Sequence, residues 1–264
     1  MGKLHFVGGE KGGVGKSFFS RLLAQYFIDS QTSFIGFDSD SSHSTFTRFY
    51  GEFATALNVD DDSSLDQLID AAEENPEANI VVDLAAQTTA KLQNWMQNCD
   101  LFSIMQEMNY QVYFWHVMDD GADSMLVLQN LLNTLPQEAY QLVVVQNYGR
   151  GNTFVNFEES STCTQARLQN ARFIRLAKLQ EGLAQKIDFK NFSFWAAANN
   201  KELMKTVDRH RIKTWLNFSY TQIRKTLEGN QDALTTEQQQ QQQQQRQPNL
   251  TDVNDFPLSQ NAHQ

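Results

Sequence analysis

Eight residues, Glu10-Lys11-Gly12-Gly13-Val14-Gly15-Lys16-Ser17, constrain this chain more than any other stretch. Before them, Lys3-Leu4-His5-Phe6-Val7 is a short apolar run closed by Gly8-Gly9, the pattern of a buried strand. After them, Phe18, Phe19, Leu22, Leu23, Tyr26 and Phe27 recur at helical spacing, so a helix should open at Lys16. Strand, glycine loop and helix in that order are the context of a phosphate-binding loop. Gly12, Gly13 and Gly15 keep side chains out of the way, so backbone N–H groups, that of Val14 included, can converge on phosphate oxygens. The helix N-terminus adds partial positive charge. Lys16 is then expected on the β- and γ-phosphates and Ser17 on Mg²⁺. The usual spacing G-x-x-x-x-G-K-[ST] wants glycine where Glu10 stands, whereas K-G-G-x-G-K-[ST] is met in full. The competing reading is a Gly/Lys-rich surface turn that binds nothing.

Two acidic strand ends follow. Ser33-Phe34-Ile35-Gly36-Phe37 runs into Asp38-Ser39-Asp40, and Asn79-Ile80-Val81-Val82 ends in Asp83. Carboxylates there lie where open α/β sheets bind ligands. A later apolar run, Gln141 to Val145, leads to Gln146-Asn147. With Lys11 at the mouth of the loop, this set resembles the deviant Walker A branch of the P-loop ATPases, the ParA/MinD family. The resemblance spans about residues 1–228, and its sharp motifs lie in the first half.

The resemblance implies roles residue by residue. Lys11 matches the signature lysine, which would cross a dimer interface to the partner's nucleotide. Lys16 and Ser17 match the phosphate and Mg²⁺ residues. Asp40 matches the carboxylate that orients the attacking water, Asp38 supports Mg²⁺ or its water shell, and Asp83 holds a Mg²⁺-bound water. Asn147 would contact the adenine. Each carboxylate also has a plainer reading, as a helix cap or a turn residue. Asn147 precedes Tyr148-Gly149-Arg150-Gly151 and could simply serve that turn. Ser41-Ser42-His43 stands where many relatives have Pro-Gln, and Leu84-Ala85-Ala86-Gln87-Thr88 replaces a Pro-rich switch. These departures point to a divergent branch, nearer to plasmid- or mobilisation-linked relatives.

The pattern of alternating strands and helices argues for an α/β fold, a mainly parallel twisted sheet with helices on both faces. Strands are expected at 3–8, 32–38, 79–84, 101–105, 110–118, 141–146 and 172–176. Helices are expected from 63 to about 74, at 88–97, 122–134 and 162–171, and as a long C-terminal helix over 201–228. One ATPase domain over 1–228 should precede a disordered tail, 229–264, which carries eight consecutive glutamines, Gln238 to Gln245. Cys99 and Cys163 form no metal spacing and no disulfide framework. The acidic triplet Asp60-Asp61-Asp62 reads as a solvated loop. No signal peptide or membrane-length apolar run is legible, and the polar tail cannot form a membrane-docking helix, so a cytoplasmic protein without membrane contact is expected.

Net charge is −10, but it is unevenly spread. Residues 1–162 carry 7 Lys/Arg against 22 Asp/Glu, and residues 163–228 carry 13 against 5. A basic excess in the last third is a hint of a polyanion-binding face. Arg209, Arg211 and Lys213 are the candidates to grip DNA phosphates without sequence preference, the alternative being a packed helix with a solvated basic face. Two functions follow. In the first, ATP binding forms a sandwich homodimer that partitions, positions or mobilises plasmid DNA. An adaptor or relaxase-type protein stimulates a slow hydrolysis to ADP and phosphate that resets the switch. In the second, the same switch positions a protein assembly (a secretion, pilus or polysaccharide machine) without DNA. A small-molecule kinase or ligase cousin is a weaker third, because such an enzyme has no need of Lys11 in trans.

Overall fold

The computed structural model describes residues 1–229 apart from Glu10 and Gln137. The glutamine-rich tail lies outside the described residues, as does Glu10. In chain order the elements are β1 (Gly2–Gly8), α1 (Lys16–Asp29), β2 (Phe34–Asp38), α2 (Thr45–Tyr50), β3 (Ala54–Ala56), α3 (Asp62–Glu74), β4 (Asn79–Asp83), α4 (Thr89–Asn98) and α5 (Leu101–Glu107). They continue with β5 (Tyr110–Met118), α6 (Ala122–Thr134), β6 (Gln141–Asn147), α7 (Val155–Glu158), α8 (Ser161–Leu168), β7 (Arg172–Leu176), α9 (Glu181–Phe189), α10 (Phe194–Asn199) and α11 (Thr206–Glu228).

Among the described residues, seven strands form one parallel sheet in the order β3-β2-β4-β1-β5-β6-β7. The α/β fold read from the sequence is therefore the fold observed. Leu4, Phe6, Ile80, Val82, Val112, Phe114, Leu142 and Val144 share one buried cluster with residues of α3, α4 and α6. The continuous burial of β4 and β5 explains why these strands read as unbroken apolar runs rather than alternating ones.

Leu101–Glu107 is a helix, not the expected strand. Its buried residues, Leu101 and Met105, are four apart, which is one helical turn. The long C-terminal helix begins at Thr206 rather than 201, and buries Ile212, Trp215, Leu216, Ser219 and Ile223. The short elements β3, α2, α7 and α10 span too few residues to show a period, and α9, nine residues long, is a further helix not read from the sequence.

The buried Arg21 pins α1 to its neighbours. Its Nη1 donates to Asp188 Oδ1 on α9 at 2.8 Å. Its guanidinium lies 3.5 Å from the ring centroid of Phe49 on α2 and 5.0 Å from that of Phe194 on α10. The helix that begins at the glycine loop is thereby held to three other elements.

Candidate nucleotide site

Parallel strands all end at the same edge of the sheet, and register decides which side chains meet there. Val7 pairs with Asp83 across β1 and β4, Asp38 pairs with Asp83 across β2 and β4, and Gly8 pairs with His116 across β1 and β5. The glycine loop therefore leaves β1 beside both acidic strand ends. Gly13 and Gly15 have φ of 80° and 100°, which L side chains rarely adopt. A Cβ at Gly15 would also lie 2.4 Å from Asn147 Nδ2.

Asn147 braces the loop from β6. Its Nδ2 donates to the Val14 carbonyl at 2.7 Å, and its Oδ1 accepts from the Gly149 N–H at 2.9 Å. The Gly149 contact is the turn role read from the sequence, and the bond to Val14 is one that the sequence reading did not name. Next to it lies a cavity of about 330 Å³, lined among others by Gly15, Phe18, Asn147, Arg150, Lys178 and Asp188.

Lys16 opens α1 and is buried, with Nζ donating to the Lys11 carbonyl at 3.0 Å. Burial pulls its pKa down, and the charges of Asp83 and Asp40 oppose that shift. A buried ammonium that feels two carboxylate charges, at the start of a helix, suits a polyanion carrying its own cation.

Asp83 is 1% exposed. Ser20 Oγ donates to its Oδ1 at 2.9 Å, while Oδ2 has no partner among the described residues. Burial pushes the carboxyl up to about 7, against the Ser17 and Ser20 hydroxyls that favour its charged form and with Asp38 adding repulsion. A buried, orphaned carboxylate oxygen is costly unless something occupies its side of the site. Among the described residues no group of three His, Cys, Asp or Glu could cage a metal. One carboxylate with a neighbouring serine hydroxyl fits Mg²⁺, which keeps its waters and takes phosphate oxygens as its other ligands.

That raised pKa sets a pH dependence. An acid with a folded pKa above its unfolded value contributes stability that is fully present below the unfolded pKa, here 3.8, and lost as pH rises through about 7. The ligand-free protein should lose melting temperature between pH 4 and pH 7 from this group. Asp83→Asn should remove that loss and melt about 5 °C above the parent at pH 8. Thermal scans across pH check this, and identical profiles for the two proteins would refute the assignment.

Asp38 and Asp40 build the turn after β2. Asp38 Oδ1 accepts from the Asp40 N–H at 3.0 Å, and Oδ2 accepts from Thr47 N at 2.9 Å and Thr47 Oγ1 at 3.2 Å. Asp40 Oδ1 accepts from Ser42 N and His43 N, and its Oδ2 faces His43 Nδ1 at 3.3 Å. Both carboxylates sit at the strand end and both are engaged locally, so the cap and turn readings describe the contacts they make here.

Lys11 reaches away from the loop. Its Nζ donates to Asp119 Oδ2 at 2.9 Å. Asp119 Oδ1 in turn accepts from Gly121 N at 3.1 Å and Ser124 Oγ at 2.6 Å, at the start of α6. Burial acts upward on the Asp119 carboxyl, but the Ser124 hydroxyl and the Lys11 ammonium together hold it below the usual carboxylate range. The same pair raises the Lys11 pKa. Asp119 is not among the candidate residues read from the sequence.

The three candidate basic residues of α11 differ. Arg209 donates to the Met204 carbonyl at 2.8 Å and to Thr206 Oγ1 at 3.4 Å, so its guanidinium is engaged at the start of its own helix. Arg211 donates to Gln180 Oε1 at 3.2 Å, and Lys213 is exposed. Among the described residues no helix is long and apolar enough to cross a membrane.

No family model matches the chain. It is 22% identical over 228 residues to protein MobD of Acidithiobacillus ferrooxidans, covering 86% of this chain and 96% of that protein. It is 25% identical over 191 residues to protein TraL of Escherichia coli, covering 69% and 79%. Among solved structures, it superposes on pNOB8 ParA bound to nonspecific DNA with a TM-score of 0.52 at 11% identity, covering 88% of this chain and all of that one. It superposes on MinD of the Aquifex aeolicus MinC:MinD cell division protein complex with a TM-score of 0.50 at 11% identity, covering 82% and 95%. This chain has the fold of the ParA and MinD proteins, the branch of P-loop ATPases that its glycine loop resembles.

Proposed function

We propose that the protein is a ParA-like ATPase that forms an ATP-dependent sandwich dimer and partitions, positions or mobilises plasmid DNA. The observation that carries this reading is the placement of two lysines in one glycine loop. Lys16 is buried within the influence of the Asp83 charge, and Lys11 is held at the loop's mouth by Asp119. ATP would lie with its phosphates on the N–H groups of residues 12–17 and its base in the cavity beside Asn147. Ser17 and Asp83 would hold Mg²⁺, which when bound neutralises phosphate charge and orients the triphosphate. Asp40 would turn from His43 towards the attacking water, with Asp38 keeping the turn in place. Leaving Asp119, Lys11 would enter the partner's site and act there as an arginine finger does. The similarity to MobD and TraL supports a plasmid-linked role, and ParA on nonspecific DNA supports duplex DNA as the track.

The test is direct. With ATP and Mg²⁺ the protein should dimerise by light scattering and bind arbitrary duplex DNA. That affinity should fall steeply with salt. Replacing Arg211 and Lys213 with alanine should weaken DNA binding about tenfold while ATP binding persists. DNA binding that ignores ATP would overturn this use of the switch.

A second reading, a switch for a protein assembly without DNA, is favoured by one observation. Arg209 and Arg211, two of the three candidate phosphate ligands, already hydrogen-bond within the protein. Dimerisation on ATP without DNA binding at low salt would select it.

A further inference from the structure

A second cavity is lined by Gly8 and Gly9, where β1 leads into the glycine loop. It has a volume of about 270 Å³ and sits between α4 and α6 over β1 and β5. Its floor is apolar and buried: Leu84, Leu92, Met96, Phe114, Leu131 and Leu135 are all below 9% exposed. Its mouth is polar and accessible, with Thr89, Gln93, Asn130 and Thr134 half-buried or exposed. Gln93 Nε2 donates to Thr134 Oγ1 at 2.9 Å, which ties α4 to α6 at that mouth. No Asp, Glu, Lys or Arg is among the lining residues. The one titratable side chain in the wall, His116, points its Nε2 at the Ser124 carbonyl at 3.2 Å, and burial lowers its pKa to about 4. The wall is therefore uncharged at neutral pH.

We propose that this cavity binds an uncharged, largely apolar small molecule the size of a fused two-ring compound. The size follows from volume: a dry apolar cavity of about 150 Å³ accepts benzene, and this one is nearly twice as large. The absence of charged lining excludes nucleotides, phosphates and carboxylates, whose desolvation nothing here would offset. A deep apolar floor under a few hydrogen-bonding groups is the usual build of a small-molecule site. Its position gives the site a lever. Gly8 and Gly9 lead into the glycine loop, and Leu84 follows Asp83, so an occupant touches both segments that shape the phosphate end.

The experiment is a titration of the full chain with indole, followed by calorimetry and by two-dimensional NMR. Saturable binding is expected, with a Kd on the order of 10⁻⁴ M for so few ligand atoms. Shifts should centre on Trp115, His116 and Leu131. Indole-3-acetate, which adds a carboxylate, should bind at least tenfold more weakly. Ala90→Trp, at an exposed position of the mouth, should weaken indole at least tenfold with an unchanged melting temperature. Val127→Trp serves the same purpose should the first variant fold poorly. No saturable indole binding would overturn the proposal, as would equal binding by the plugged variants. Tighter binding of N-acetyltryptophanamide than of indole, by tenfold or more, would also overturn it by showing a site for a partner's side chain. ATP titration of the same samples is a separate reading and does not bear on these outcomes.

Discussion

Lys11→Ala is expected to lower ATP hydrolysis by about a thousandfold while changing ATP affinity by less than about threefold. A cation delivered in trans to a transferring phosphoryl group is worth roughly 10³–10⁵ in rate, because it acts where charge develops. Among the described residues the Lys11 ammonium bonds to Asp119 and not to the rest of the phosphate loop. Ground-state binding therefore does not depend on it. Asp119→Asn should act in the opposite sense on assembly. It keeps an acceptor for Ser124 and Gly121 but removes the charge that retains Lys11. More dimer should then form at a given ATP concentration. Single-turnover hydrolysis, equilibrium nucleotide binding and light scattering on the same preparations separate these effects. A fully active Lys11→Ala protein that stays monomeric with ATP would sink the trans-acting role.

Lys16→Ala is expected to weaken ATP binding at least a hundredfold, equivalent to about 2.7 kcal/mol. Charge-assisted hydrogen bonds to phosphate in a water-poor site are among the strong ones. The ligand-free variant should nevertheless melt no lower than the parent. Burial disfavours the charged form of Lys16, and its Nζ has only a neutral carbonyl, that of Lys11, as a hydrogen-bond partner. Deleting it removes a desolvated ammonium rather than a completed ion pair. The decisive observation is the melting shift caused by Mg-ATP, which should vanish in the variant. A variant that retains the full ATP-induced shift would show that the triphosphate lies elsewhere.

Much of the site was readable because it is written in local patterns. The glycine loop is bracketed by a strand and a helix, and each aspartate ends an apolar run, so position along the chain already implied position at the sheet's edge. Leu101–Glu107 misled because its four apolar residues, Leu101, Phe102, Ile104 and Met105, carry too little periodicity to separate helix from strand. The basic C-terminal residues were correctly placed on a helix. Charge counting could not reveal that Arg209 turns back onto Met204 and Thr206.

Sequence alone determined the elements that repeat with a short period: the strands other than β3, the long helices, the loop and the aspartates that close β2 and β4. It did so because hydrophobic spacing and glycine conformations act over a few residues. Tertiary structure decided what those residues touch. Lys11 meets Asp119 across 108 positions, Asn147 holds Val14 across 133, and Asp83 keeps one oxygen orphaned. The physical reason is the parallel sheet itself. Every strand must return to the same edge before the next begins, so groups far apart in the chain are brought together by strand order and register, which no local pattern records.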